Sequence, residues 1–173
     1  MEKPEAVKMG RQVKKTVFLT AVMMLLTSCG KADSARTDVF IFSDASAEIS
    51  GNIEKAAGKQ HLSAKFFPAS PEKLLVEIAA KEGDLYIVPE EMFKPFFDPE
   101  GLRPLGSHPG DGEPYTAAGS DGEKRVYAAV LNKGEKRLNG YTFQLNTDMA
   151  AFIPIYAKKT DEAMDLIEAL RGQ

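Results

Sequence analysis

Hydrophobic and polar positions divide the chain into three regimes. Thr16 to Ser28 is uncharged and mostly apolar, Gly30 to Thr37 is polar and rich in small residues, and from Val39 onward short apolar runs alternate with stretches of helical spacing. Val39-Phe40-Ile41-Phe42 is a continuous run of strand formers, the pattern of a strand buried on both faces. Ser43-Asp44-Ala45-Ser46 then reads as a helix start, followed by Ile49, Ile53 and Ala57 at helical spacing and by Gly58 as a stop. Leu62 to Phe67 predicts a second strand. Ser70-Pro71-Glu72 supplies an N-cap, a first-turn proline and a carboxylate at the positive helix end. Leu74, Leu75, Ile78 and Ala79 form the expected buried stripe of that helix, and Gly83 its end. Asp84 to Val88 predicts a third strand, ended by Pro89.

Strands and helices alternating over short connections point to parallel strands with helical crossovers. From Glu90 to Gly122 closely spaced glycines and prolines predict turns, with a short helix at Glu90 to Phe93. Further strands are expected at Arg125 to Leu131, Tyr141 to Leu145 and Phe152 to Ala157. Thr160-Asp161-Glu162 opens a last helix with Ala163, Leu166, Ile167 and Leu170 as its apolar stripe, closed by Gly172. The expected fold class is α/β: one compact domain over residues 38–173, its mainly parallel sheet covered by helices.

The amino-terminal region changes the picture from fold to location. Lys3, Lys8, Arg11, Lys14 and Lys15 outnumber Glu2 and Glu5 ahead of the uncharged stretch, the basic start and apolar centre of a secretory signal. As a helix, Thr16 to Ser28 would span about 20 Å, short of a bilayer core of about 30 Å. The stretch ends in Leu26-Thr27-Ser28-Cys29-Gly30, which holds the one cysteine of the chain. This resembles the lipobox of bacterial lipoproteins. The resemblance implies a signal peptide over residues 1–28, a diacylglyceryl group on Cys29, further acylation there, and a mature chain that begins at Cys29. Two or three acyl chains hold a protein stably at a membrane where one short chain does not. Residues 29–37 then read as a lipidated tether.

Composition excludes several chemistries. The chain has 173 residues, 22 basic and 25 acidic. Five basic and two acidic groups precede Cys29, so the mature part carries 17 against 23 and is acidic. With no basic block, a nucleic-acid footprint is lacking. One cysteine and two distant histidines, His61 and His108, argue against disulfides and against a zinc or iron–sulfur centre, so no metal and no cofactor beyond the lipid is expected. Gly110-Asp111-Gly112-Glu113 and Ser120-Asp121-Gly122-Glu123 lack the remaining ligands of a calcium loop and read as turns. No nucleophile elbow or phosphate loop occurs.

Ligands of open α/β sheets collect beyond the carboxyl ends of the strands. Ser43, Asp44 and Ser46 follow the first strand, Ser70 the second, and Glu90 and Glu91 the third. Ser46 and Ser70 also suit simple capping. Tyr115 offers a ring and a hydroxyl to the same region, while Phe96 and Phe97 read as a satellite core. The ligand-binding candidates are therefore Ser43, Asp44, Ser46, Ser70, Glu90 and Tyr115, with Cys29 as the lipidation site and no catalytic residue.

The anchored start, Val39 to Asp44, Asp84 to Pro89 and Phe152 to Ala157 together resemble pieces of the solute-binding lipoproteins of ABC importers. The mature 145 residues are short for a two-lobed receptor, so the resemblance implies one lobe. The chain is also similar to small Gram-positive lipoproteins of the YteS type, which implies a carbohydrate role. These resemblances imply an extracytoplasmic, non-catalytic protein that binds a small solute or assists the membrane subunits of an ABC transporter. An adaptor for a protein or cell-wall component, acting through Glu90 to Gly122, is the alternative. An anchored hydrolase using Glu90 and Glu91 is a third reading.

Overall fold

β1 (Thr37–Phe42) lies between β2 (Leu62–Phe67) and β3 (Leu85–Pro89) and pairs in parallel with both. The architecture is that of a computed structural model, which describes residues 36–44, 51, 53–55, 61–106 and 113–171. Residues 51 and 53–55 are helical, within the crossover from β1 to β2. The second crossover is α1 (Pro71–Ala80). Its N-cap is Ser70, whose hydroxyl accepts from the Lys73 amide at 3.3 Å. After β3 come the short α2 (Glu90–Phe93) and two 3-10 turns. β4 (Thr116–Ala118) and β5 (Lys124–Val126) form a small antiparallel hairpin.

The remaining strands form a bent ribbon. β6 (Ala128–Leu131) and β7 (Gly134–Leu138) run out, and β8 (Tyr141–Leu145) and β9 (Met149–Phe152) run back. Asn139 and Gly140 join the two halves with φ of 51° and 82°, the paired positive angles of a type I′ turn. Only antiparallel pairing fits such a short connection. β7 pairs with β8 and β6 with β9, so the ribbon leaves the main sheet at residues 132–133 and 146–148. At that bend the Asp148 carboxylate accepts from the Lys133 amide at 2.7 Å.

β9 inserts between β3 and β6, antiparallel to both, giving the order β2-β1-β3-β9-β6. This corrects the expected mainly parallel sheet covered by helices. Two of its four pairings are antiparallel, two further antiparallel pairs lie outside it, and strands outnumber helices. The resemblance to one lobe of a solute-binding protein fails with that expectation. Three local readings change as well. Arg125 to Leu131 is two strands rather than one, because the Tyr127 amide bonds to the Tyr115 carbonyl at 2.9 Å instead of joining a ladder. The predicted strand at Phe152 to Ala157 begins earlier, at Met149, and its latter part turns: the Ile155 amide donates to Gly101 and that of Ala157 to Pro154. In α1, Leu75 and Ala79 face solvent, while Glu77 is buried and pairs with Lys73.

Alternation along the buried strands sorts side chains by type. Phe40, Phe42, Tyr86 and Phe152 fall on one face, under Leu74 of α1 and Phe93 of α2. Their rings form a continuous ladder: Phe40 meets Tyr86 at 5.4 Å, Tyr86 stacks on Phe152 at 5.3 Å, and Phe152 stacks on Phe93 at 4.7 Å. Val39, Ile41, Leu85 and Ile87 fall on the other face. There they meet Leu138 and Phe143 of the ribbon and the predicted stripe of α3 (Thr160–Arg171): Ala163, Leu166, Ile167 and Leu170.

Asp84 locks the amino-terminal edge of the sheet. Its carboxylate accepts from the amide of Asp38 at 3.1 Å, of Lys158 at 2.8 Å and of Lys159 at 3.2 Å. One side chain therefore ties β1, β3 and the approach to α3. Beside it, Tyr86 and Tyr156 share a hydroxyl contact of 3.0 Å and both donate to the Glu82 carbonyl.

Candidate functional site

β1, β2, β3 and β6 run in one direction and end at a common edge, where β9 begins. Five chain segments converge there. A cleft of about 310 Å³ opens among Pro89, Glu90 and Glu91 after β3, Lys133 after β6, and Asn146, Thr147 and Asp148 before β9. That volume is at the lower end of small-molecule sites, roughly 300–1,000 Å³.

Backbone pairing sets the geometry. The Glu90 amide donates to the Asp148 carbonyl at 2.9 Å, which holds α2 against the bend of the ribbon. The Glu90 carboxylate accepts from the Tyr115 hydroxyl at 3.0 Å, and Lys94 Nζ stands 3.7 Å from it. Lys94 also pairs with Glu91 at 2.7 Å. The hydrogen bond to Glu91 raises the Lys94 ammonium pKa. Tyr115 is buried, its ring edge-on to Phe93 at 4.9 Å and to Phe97 at 5.3 Å. Burial, and then the Glu90 carboxylate, push the phenol pKa up. The Tyr115 hydroxyl thus keeps its proton and donates it to the Glu90 carboxylate.

The structure brings Glu90 and Tyr115 together among the predicted site residues. Ser43 and Asp44 share the edge but do not line the cleft. Ser43 borders an adjoining apolar cavity of about 60 Å³, walled by Val39, Ile41, Ile53, Ile87 and Leu131, which shares Asn146 and Thr147 with the cleft. Asp44 accepts from the Ala69 amide at 3.3 Å and so ties the loops after β1 and β2. The Ser70 hydroxyl caps α1 and donates to Glu72 at 2.7 Å. Ser46 and Cys29 lie outside the described residues, as does His108. Phe96 and Phe97 pack against the aromatic core. Ser120 to Glu123 is the turn between β4 and β5, where Asp121 pairs with Arg125.

Sequence reasoning missed Lys133, Asn146, Thr147 and Asp148. The signal for them was Asn139-Gly140, a turn dipeptide between two alternating segments. It sets the register of the ribbon, and the register brings residue 133 beside residue 148.

Chemically the cleft offers carboxylates from Glu91 and Asp148, an amide from Asn146, a hydroxyl from Thr147 and an ammonium from Lys133. Donors and acceptors at this density suit a hydroxyl-rich solute. Among the described residues, no three His, Cys, Asp or Glu side chains are placed to hold a metal ion.

No family model and no solved structure matches the chain. A protein of Bacillus subtilis (strain 168) that carries the name "Putative lipoprotein YteS" is 46% identical to it over 167 residues, covering 94% of this chain and 98% of that protein. Similarity of this extent, end to end, places the chain in the YteS lipoprotein family.

Proposed function

We propose that the protein is anchored on the outer side of a cell membrane through lipid on Cys29 and uses the cleft at the carboxyl edge of its sheet to bind a small hydroxylated solute. A carbohydrate is the solute class that fits best, and delivery to the membrane subunits of an importer is the role that goes with it. The cleft carries this reading: side chains from the start of α2, the β6–β7 bend and the β8–β9 bend converge on one polar space. Membership of a lipoprotein family and the sequence Leu26-Thr27-Ser28-Cys29-Gly30 support the anchor.

Two experiments test it. In cells, Cys29→Ser removes the acyl mass and releases the protein from membranes; a variant that stays bound overturns the anchor. For the cleft, a thermal-shift screen covers mono- and oligosaccharides, amino acids and peptides. A ligand at 100 times its Kd adds about 2.7 kcal/mol, which raises Tm by roughly 5–10 °C in a domain of this size. Asn146→Ala and Glu91→Gln remove that shift while leaving the melt cooperative. A flat screen from a cooperatively melting protein overturns solute binding and favours the adaptor.

A further inference from the structure

We infer that the amino-terminal edge of the sheet is a membrane-facing surface, seated against anionic lipid headgroups, and that the cleft at the opposite edge is thereby turned away from the bilayer. The inference rests on the lipid anchor proposed above. Its first support is the position of β1 in the sheet. β1 starts at Thr37 on this edge, and the eight residues from Cys29 can span at most about 28 Å. Six residues of β1 at about 3.3 Å each put the opposite edge about 20 Å further on.

Side chains at this edge supply the second support. Lys81 follows α1, and Lys158 and Lys159 follow the turn after β9, all beside the Asp84 lock. Among the described residues, none of these three ammonium groups enters an ion pair. Arg36 lies at the same edge but is already engaged, and Lys65 is matched to Asp38. The opposing charges are the Asp84 carboxylate itself, Glu82, Glu100 beside the Gly101 that pairs with Ile155, and, in the first turn of α3, Asp161 and Glu162, which the positive end of their own helix offsets. The cleft edge by contrast has twice as many acids as bases: Asp44, Glu90, Glu91 and Asp148 stand against Lys94 and Lys133, and Lys94 is already paired. An anionic surface repels that edge more strongly than the other, where the three unpaired ammonium groups can meet phosphates.

The third support is apolar. Ile155 is 51% exposed on the turn that leads to Lys158 and Lys159, and half-buried Tyr156 follows it. An isolated aliphatic side chain flanked by lysines and a tyrosine has the composition of an interfacial contact, with the alkyl group in the headgroup layer and the ammonium groups at the phosphates.

The chain has no tryptophan, so a single introduced indole reports one position. The full lipidated protein carrying Ile155→Trp or Glu91→Trp is reconstituted in phosphatidylglycerol–phosphatidylcholine vesicles that contain a headgroup-dansylated lipid. With edges about 20 Å apart, energy transfer from position 155 exceeds that from position 91 by more than about twofold. The difference collapses in Lys158→Glu/Lys159→Glu protein and in pure phosphatidylcholine. Equal transfer from the two positions, in protein that floats with the vesicles, overturns the docking and leaves the anchor standing. Protein that fails to float overturns the anchor and the docking together.

Discussion

Removing the Asp84 carboxylate tests whether one buried side chain holds the amino edge together. In Asp84→Ala three backbone amides lose their acceptor: those of Asp38, Lys158 and Lys159. A hydrogen bond to a charged group contributes about 1.5–3 kcal/mol, and an orphaned buried donor costs about 1–3 kcal/mol. Lys158 is exposed and Asp38 half-buried, so water replaces part of what is lost. A net destabilisation of about 3 kcal/mol follows, lowering Tm by roughly 6–12 °C. Asp84→Asn keeps an oxygen for Lys158 and Lys159 but turns a donor toward the Asp38 amide, and costs about half as much. Urea unfolding followed by circular dichroism gives both values. Amide hydrogen exchange at residues 38, 158 and 159 shows whether the loss is local. An Asp84→Ala protein within about 0.5 kcal/mol of the parent, with those amides still protected, refutes the lock.

Four further outcomes follow from other elements. Gly140→Ala forces a β-carbon onto a residue at φ 82° with nothing within 4 Å of it, so the cost is conformational, about 1–2 kcal/mol by denaturant melt. Phe152→Ala opens the ring ladder between Tyr86 and Phe93 and costs about 3–5 kcal/mol in the same assay, with loss of near-ultraviolet dichroism. Tyr86 and Tyr115 hold their protons more tightly folded than unfolded, chiefly through burial. Their contribution is complete below about pH 10 and is lost as pH rises through the folded values, so phenolate absorbance appears together with alkaline unfolding rather than before it. The Ser70 hydroxyl holds the Glu72 carboxyl below its ordinary range. That contribution is present above the unfolded value and disappears as pH falls through the folded one, and a carboxyl NMR titration of Ser70→Ala shows Glu72 returned to the ordinary range.

What could be read in advance was local. Ser70-Pro71-Glu72 caps α1 as a helix start should, and the α3 stripe of Ala163, Leu166, Ile167 and Leu170 is wholly buried. β7 escaped because Glu135, Lys136 and Arg137 make it look like a solvated loop. It is a strand because the turn at Asn139-Gly140 and the partner β8 hold it there. Parallel order was inferred from strand and helix alternation, and that logic covers β1 to β3 only. The direction of β9 depends on a pairing partner some twenty residues earlier, which no local pattern encodes. The cleft was half legible for the same reason: Glu90 follows a strand that announces itself, whereas Lys133 and Asp148 meet only through the ribbon.

The place of β9 also bears on when the protein can fold. Residues 149–152 fill the gap between β3 and β6, so the sheet has no contiguous middle until almost the whole chain has been made. A nascent chain shorter than this holds three parallel strands and a detached ribbon arm, each with an open flank and neither with a complete core. Such a chain stays short of its native sheet through most of its synthesis, because the segment that would commit it to a folded state is among the last to emerge. Closure of the sheet then waits for β9, and the last strand acts as the timer of folding.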